Sequence, residues 1–567
     1  MSTGVARTLV GVPAAPGLVV GAIVQLRHDP IEIPEDHDSP NAERLRLECA
    51  LEQARTELRS LQERLAQTAD ATRAAIFAAH EALLGDPDLL ATCATAIDRG
   101  GSAAFAWHLA IETQAKRLAN LDDKLLAARA SDVRDVGRRV LRAIVGTKGA
   151  ERHYAPGTIL VAEDLTPSET AGLDRSTVVG FCTAGGGATS HVAILARSLD
   201  IPAVAAIDPA ALDVPDGTPA VLDGNEGVLR LVPSPEELAS VAERLARGER
   251  RRAAERAVAH QPASTVDGHS IAVVGNIGSL ADAEQVLALG GEGVGLLRTE
   301  FLFLDRDQAP SEDEQADVYT AIAARLGPGR PLIIRTLDAG GDKALPFLHL
   351  PKEHNPSLGE RGIRAQLARP TLLRAQLRAI VRAARHGQVM VMFPMITGLA
   401  QWRVARQALE RERLQLGSPP VPVGVLVEVP ATALNAERFA TEVDFFSLGT
   451  NDLAQYTLAT DRDHPQLASQ VDELDPAVLQ LVATTVKAAR GHGKWVSVCG
   501  GMAADPQAIP LLIGLGVGGL SVSAPAIPGV KACVRRWRLT DAEVLVTRAL
   551  TAGSAEEVRA LVAAADA

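Results

Sequence analysis

From Ser270 onward, short apolar runs alternate with amphipathic helical stretches, and no other feature of this chain narrows its fold as far. The strand-like runs are 271–276, 293–298, 331–336, 389–395, 421–429, 444–448, 495–499 and 519–523. Their length and their bounding glycines and prolines suit buried strands. Eight such runs with helices between them match the count of a (β/α)8 TIM barrel.

In a barrel of this kind the reacting groups stand at the C-terminal ends of the strands. Arg298 closes the second run, Arg335 the third, Glu428 the fifth and Cys499 the seventh. Asn451 and Asp452 follow the sixth run, with Arg462 shortly after. Arginine forks bind phosphate and carboxylate oxygens bidentately. Two carboxylates, Glu428 and Asp452, could hold a Mg²⁺ that also binds substrate oxygens. Each residue alone would pass as a surface ion pair. Their shared place at strand ends favours a site.

The N-terminal half has a second centre, Gly185-Gly186-Gly187-Ala188-Thr189-Ser190-His191, followed by an apolar periodic segment to Arg197. It reads as strand, flexible loop, cap and helix. His191 then lies in a first helical turn, where free N–H groups and the dipole favour an anion. An imidazole there suits a covalent phosphoryl carrier. A lone histidine more often caps or packs; the three glycines, which allow close backbone approach, shift the balance.

Around this centre the pattern changes twice. Residues 1–26 read as two short strands, 9–12 and 18–26, about a Pro/Gly turn. Between 41 and 145 the pattern is helical, with Leu51, Ala54, Leu58, Leu61 and Leu65 on one face, and Gly85-Asp86-Pro87 and Gly100-Gly101 as breaks. Strand-like runs return at 158–162, 177–181, Val204 and 221–224. Residues 233–261 read as a solvated charged helix linking two halves.

These stretches carry a resemblance. GGGATSHVAILARSLDIPAVA resembles the phosphohistidine motif of phosphoenolpyruvate-utilising enzymes. GLLRTEFL, IRTLDAGGDKALPF, NPSLGERGIR, LVEVPA, FFSLGTNDLAQYTLATDRDHP and VCGGMAAD resemble blocks of Enzyme I of the phosphotransferase system, from about Gly11 to the last barrel strand. The resemblance implies a multidomain α/β protein. Residues 1–26 and 146–232 would form a swivelling phosphohistidine α/β domain around a helical insert, 27–145. A linker helix, 233–261, would lead into a phosphoenolpyruvate-binding TIM barrel, 262–567. It implies transfer of phosphoryl from phosphoenolpyruvate to His191 and on to the carrier HPr, the first step of sugar phosphotransfer. By match, Arg298, Arg335, Asn451 and Arg462 bind phosphoenolpyruvate, Glu428 and Asp452 bind Mg²⁺, and Cys499 protonates the enolate to give pyruvate. Arg361 is a further candidate near the phosphate. The stretch 75–84 resembles the HPr-docking helix, with His80 at an interface or packed. A homodimer through the barrel is also implied.

Three positions depart from the family pattern: Gly501 where Glu usually follows Cys-Gly, Glu360 where an aromatic is common, and Ala188 in place of an Arg. A phosphoenolpyruvate synthase or pyruvate phosphate dikinase would need an ATP-grasp segment, for which no stretch is left over. A decayed regulatory paralogue is disfavoured by the intact chemical residues. The net charge of −12 comes without a basic block, which argues against nucleic acid. Five scattered cysteines, at 49, 93, 182, 499 and 533, fit a reducing, cytoplasmic setting. No run reads as a membrane span, and the apolar start is broken by Pro13 and Pro16 with no basic segment before it.

Overall fold

The computed structural model describes residues 7–27, 33, 39–67, 80–119, 124–146, 154–165, 169, 173–185, 196, 201–304, 306, 308–340, 345–348, 350–351, 353–462, 464 and 467–566. His191 and the loop before it therefore lie outside the described residues, as do 75–79 of the expected docking helix. The chain divides into two compact units, Met1–Ala246 and Arg247–Ala567.

The first unit holds an eight-stranded sheet in the order β1-β8-β7-β3-β4-β5-β6-β2. Its strands are β1 (Arg7–Val10), β2 (Val12–Ala15), β3 (Leu18–Gln25), β4 (Thr158–Ala162), β5 (Val178–Thr183), β6 (Ala203–Ala205), β7 (Pro219–Asp223) and β8 (Val228–Leu231). The N-terminal run expected as one strand and a turn is two strands, and these lie at opposite ends of the order. Only Gly11 separates them, so the sheet must roll until its edges meet. Gly11 donates its N–H to the Gly227 carbonyl, 2.8 Å away. A Cβ at this corner would lie 2.7 Å from the Ala205 carbonyl oxygen, which leaves glycine as the residue that fits. Pro13 is tolerated because β2 is an edge strand, paired only with β6.

Between β3 and β4 the chain leaves the sheet for helices α1 (Pro40–Gln67), α2 (Pro87–Asp98), α3 (Ala103–Ala119) and α4 (Lys124–Val145). Leu51, Ala54 and Leu58 face a core of their own with Trp107, Ile111, Val136 and Val140. Trp107 meets its one polar need by donating to the Gly137 carbonyl at 3.0 Å. Asp86 caps α2 and Pro87 opens it, which explains why Gly-Asp-Pro breaks the pattern there. α5 (Pro235–Ala257) follows the sheet as one helix, and the division between the units falls within it.

The second unit is a closed parallel barrel of β9 (Ala272–Ile277), β10 (Val294–Arg298), β11 (Pro331–Arg335), β12 (Gln388–Phe393), β13 (Val423–Val427), β14 (Phe445–Leu448), β15 (Trp495–Val498) and β16 (Gly519–Val522). All eight expected runs contain these strands, within about two residues at their ends. Leu296, Ile333, Met392, Leu426, Phe445 and Cys499 fill the interior. A far larger apolar layer lies between strands and helices. Strands such as β13 are therefore buried along their whole length, which is why they read as continuous apolar runs.

Candidate active site

Barrel closure brings Arg298, Arg335, Arg361, Glu428, Asn451, Asp452, Arg462 and Cys499 to the C-terminal rim. They arrive in very different electrostatic states. Arg298, the last residue of β10, is exposed, and among the described residues no hydrogen bond or ion pair holds its side chain. Partial desolvation, then repulsion from Arg335 and Arg462, lower its pKa, while the nearby Cys499 and Glu300 oppose the shift. Such a cation gains most from an arriving anion.

Arg335, at the end of β11, is buried. Its guanidinium lies 3.0 Å from Glu300 and 3.4 Å from Asp338. Burial opposes its charge, but Glu300, Asp338 and Glu428 outweigh that and raise its pKa. Its Nε is a buried donor without a hydrogen-bond partner among the described residues. An orphaned donor facing a functional rim is what a bound oxyanion would satisfy.

Arg361 is only 1% exposed. Nε and one terminal nitrogen bond Asp338 at 3.1 Å each. The two terminal nitrogens bond Asp452 at 3.0 and 3.2 Å, and one of them also reaches the Tyr456 hydroxyl at 3.4 Å. A guanidinium has five N–H donors, and all five are engaged here. Arg361 fixes Asp452, and Arg462 adds a cation 3.6 Å from that carboxylate.

Glu428 is fully buried, with Oε1 accepting the Met395 N–H at 2.6 Å. Burial first, then repulsion from Asp452 and Asp338, push its carboxyl up to about 8. This crowding of negative charge is what a divalent cation would relieve. Among the described residues no cluster of three or more metal-ligating side chains exists. Two carboxylates with substrate oxygens and water completing the shell are a donor set that Mg²⁺ accepts. The residues present thus fit the ion.

Cys499 lies just past β15, its thiol in the barrel interior. Ser447 Oγ donates to Sγ at 3.4 Å, and the Cys499 N–H binds the Leu448 carbonyl at 3.0 Å. Burial pushes the thiol above its ordinary pKa of 9.0, against the pull of Ser447, Arg335 and Arg298. The group stays protonated at neutral pH, the state a proton donor needs. Asn451 accepts the Gly501 N–H at 2.8 Å and so couples the sixth and seventh strand-end loops.

Sequence reasoning passed over Glu300 and Asp338. Both lie just beyond strand ends, inside the RTEF and TLDAGG blocks, so position was the signal available. Their role as counter-ions to Arg335 and Arg361 depends on which strands are neighbours, and only the closed barrel shows that. In the first unit, β5 ends at Thr183, and Gly185 is held by its N–H to the Glu163 carbonyl at 2.7 Å. The strand preceding the glycine loop is thus present.

Comparison with known proteins follows the same division. Residues 10–129 match the model of the PEP-utilising enzyme N-terminal domain, 154–227 that of the mobile domain, and 252–539 that of the PEP-binding domain. The chain is 39% identical to a phosphoenolpyruvate-protein phosphotransferase of Geobacillus stearothermophilus, covering 97% of each. To the protein of that name from Bacillus subtilis it is 38% identical, covering 98% of this chain and 99% of the relative. It is 45% identical to a multiphosphoryl transfer protein of Rhodobacter capsulatus over 98% of this chain, and spans 67% of that longer relative. With three domain models in order and near-complete matches of this kind, the chain belongs to the phosphoenolpyruvate-utilising enzyme family, as an enzyme of the phosphoenolpyruvate–protein phosphotransferase type.

Proposed function

We propose that this enzyme takes the phosphoryl group of phosphoenolpyruvate onto His191 and passes it to a histidine of the carrier HPr, opening sugar phosphotransfer in the cytoplasm. One observation carries the substrate reading. An exposed Arg298 and the Nε of Arg335, neither partnered among the described residues, stand near a buried Cys499 whose thiol is held by burial above its ordinary pKa. That combination suits a substrate with an anionic head and a carbon that must be protonated.

Arg298 and Arg335 take the phosphate and carboxylate oxygens, with Asn451 and Arg462 at the flank. Arg361 holds Asp452 in place beside Glu428. When bound there, Mg²⁺ supplies positive charge to the phosphoryl and enolate oxygens. A ring nitrogen of His191 attacks phosphorus, the bond to the enol oxygen breaks, and its electron pair remains on the enolate. The arginines stabilise charge as it moves. The Cys499 thiol gives its proton to the enolate carbon, pyruvate forms, and the thiolate is reprotonated from water.

Residues 1–26 and 146–232 would swivel as the phosphohistidine domain, with 27–145 as the HPr platform, 233–261 as the linker and 262–567 as the barrel. The family resemblance implies a homodimer through the barrel. Serial transfer is in keeping with the name of the Rhodobacter relative. Among the described residues no helix is long and apolar enough to cross a membrane.

The test uses labelled phosphoenolpyruvate, Mg²⁺ and HPr with the full chain. Pyruvate release and acid-labile label on protein and then HPr are expected, both lost in His191→Ala. Label that persists on that variant, or pyruvate that forms only with ATP or AMP, would overturn the reading.

A further inference from the structure

Glu473 has no part in substrate binding as described, yet it stands where two active-site loops meet. It lies in the segment leading to α15 (Pro476–Gly491), numbering the helices of the barrel unit α6 to α19 from Leu280–Ala288 to Ala555–Asp566. Its Oε2 accepts from the Thr450 hydroxyl and, at 2.8 Å, from the Met502 N–H. Thr450 opens the helix that carries Asn451 and Asp452, and Met502 follows Cys499 by three residues. One carboxylate thus ties the loop behind the thiol to the helix of the proposed metal ligand.

The same carboxylate fills a specific vacancy. A Cβ added at Gly501 would lie 2.6 Å from Glu473 Oε1 and 3.3 Å from its Cδ and Oε2, and these are the three nearest atoms. At the neighbouring Gly500 the obstacles include the Thr450 backbone nitrogen at 2.6 Å, so that glycine is fixed by the main chain. Glu473 is therefore the first obstacle to a side chain at 501.

The segment bearing Glu473 is braced on both sides. Arg559, from the C-terminal helix, grips both oxygens of Asp472 at 2.7 and 2.8 Å and reaches Asp505 at 3.0 Å. Asp475 caps the following helix through the Ala477 N–H. A carboxylate held this way keeps one geometry.

We propose that Glu473 is a positioning residue for the Cys499 loop, a carboxylate supplied from the segment before α15 in place of a side chain at 501. It acts through Thr450 and Met502, not on substrate. This rests on the phosphoenolpyruvate reading above.

The experiment compares the full-length parent with Glu473→Ala, Gly501→Glu, Glu473→Ala/Gly501→Glu and Glu473→Ala/Gly501→Ala. Pyruvate formation with HPr at saturating Mg²⁺ gives kcat and KM, and thermal unfolding checks the fold. Glu473→Ala should lose about tenfold in kcat, with KM for phosphoenolpyruvate within about twofold, because misplacement slows chemistry more than binding. Gly501→Glu alone should also be slow, since two carboxylates would contest one space. The Ala/Glu double variant should recover most of the lost kcat, and the Ala/Ala double variant should not. Parental kcat in Glu473→Ala overturns the proposal, as does recovery by Ala/Ala equal to that by Ala/Glu. If Glu473→Ala unfolds, the Ala/Glu double variant must still exceed Gly501→Glu, and failure to do so overturns it. Absence of pyruvate with the parent would instead overturn the substrate reading itself.

Discussion

In the first unit, the residues proposed for phosphoryl transfer fall within one stretch, 185–197, behind the single strand β5. In the barrel they run from Arg298 to Cys499 and follow five different strands. The first site is written by neighbours in sequence, and the second by neighbours in space. The cost of the second arrangement is visible in its charges. Arg335, Arg361, Glu300, Asp338, Glu428 and Asp452 are all buried, and such groups persist only as a mutually paired set. What this teaches is that a dispersed site needs a scaffold of its own, here made of the same residue types as its ligands.

That distinction can be broken by experiment. Arg298→Ala should lower pyruvate formation by about 10²–10³, the loss typical of removing one preorganised charge donor, while unfolding stays near the parent value. A large fall in stability would mean that Arg298 is scaffold. Arg361→Met should do the reverse at first reading. It removes the closest cation from Asp338 and Asp452, both buried, leaving them Arg335 at 3.4 Å and Arg462 at 3.6 Å, and should cost about 3 kcal/mol of barrel stability in denaturant titration. Unchanged stability with weakened phosphoenolpyruvate binding would return Arg361 to the ligands.

A smaller effect sharpens the role of Cys499. As an acid it works protonated, and burial raises its pKa above 9.0. Raising the pH through neutrality should therefore leave kcat flat at saturating Mg²⁺, with decline only above about pH 9. An alkaline limb at pH 7–8 that vanishes in Cys499→Ser would contradict this assignment.

The smallest effect concerns the helix α5 that runs from one unit into the other. Gly248 lies within it, and a Cβ there would meet nothing within 4 Å. Gly248→Ala should stiffen the helix by about 0.5–1 kcal/mol. A hinge at the helix ends predicts unchanged turnover, whereas a hinge in its interior predicts slower phosphorylation of His191 at unchanged phosphoenolpyruvate binding.

Much of this was legible in the chain itself. The barrel strands were readable because both faces of each are buried, which leaves long apolar runs punctuated by glycine and proline. The rim placement of Arg298, Arg335, Glu428 and Cys499 was readable because each closes or directly follows an apolar run. Less legible was the N-terminal sheet, where Arg7–Val10 and Val12–Ala15 look like one strand and a turn. Their separation depends on Ala205 and Gly227 approaching Gly11 from distant parts of the chain. Likewise the carboxylates that engage Arg361 were not legible, because sequence shows a cation near a phosphate motif and not Asp338 and Asp452 beside it.

The sequence by itself determined the kinds of element, their order and the residue types available for chemistry, since periodicity and turn preferences are local properties. Only the tertiary structure decided which charges are free and which are spent. Arg298, Arg335 and Arg361 are chemically equivalent as letters. Among the described residues, the side chain of one ends exposed without an ion pair, one keeps a buried Nε without a partner, and one has all its donors engaged. So too with Glu473, which meets Thr450 and Met502 only because β14 and β15 are adjacent in the closed barrel. Coulomb interactions and desolvation depend on distances between strands that sequence separation does not encode.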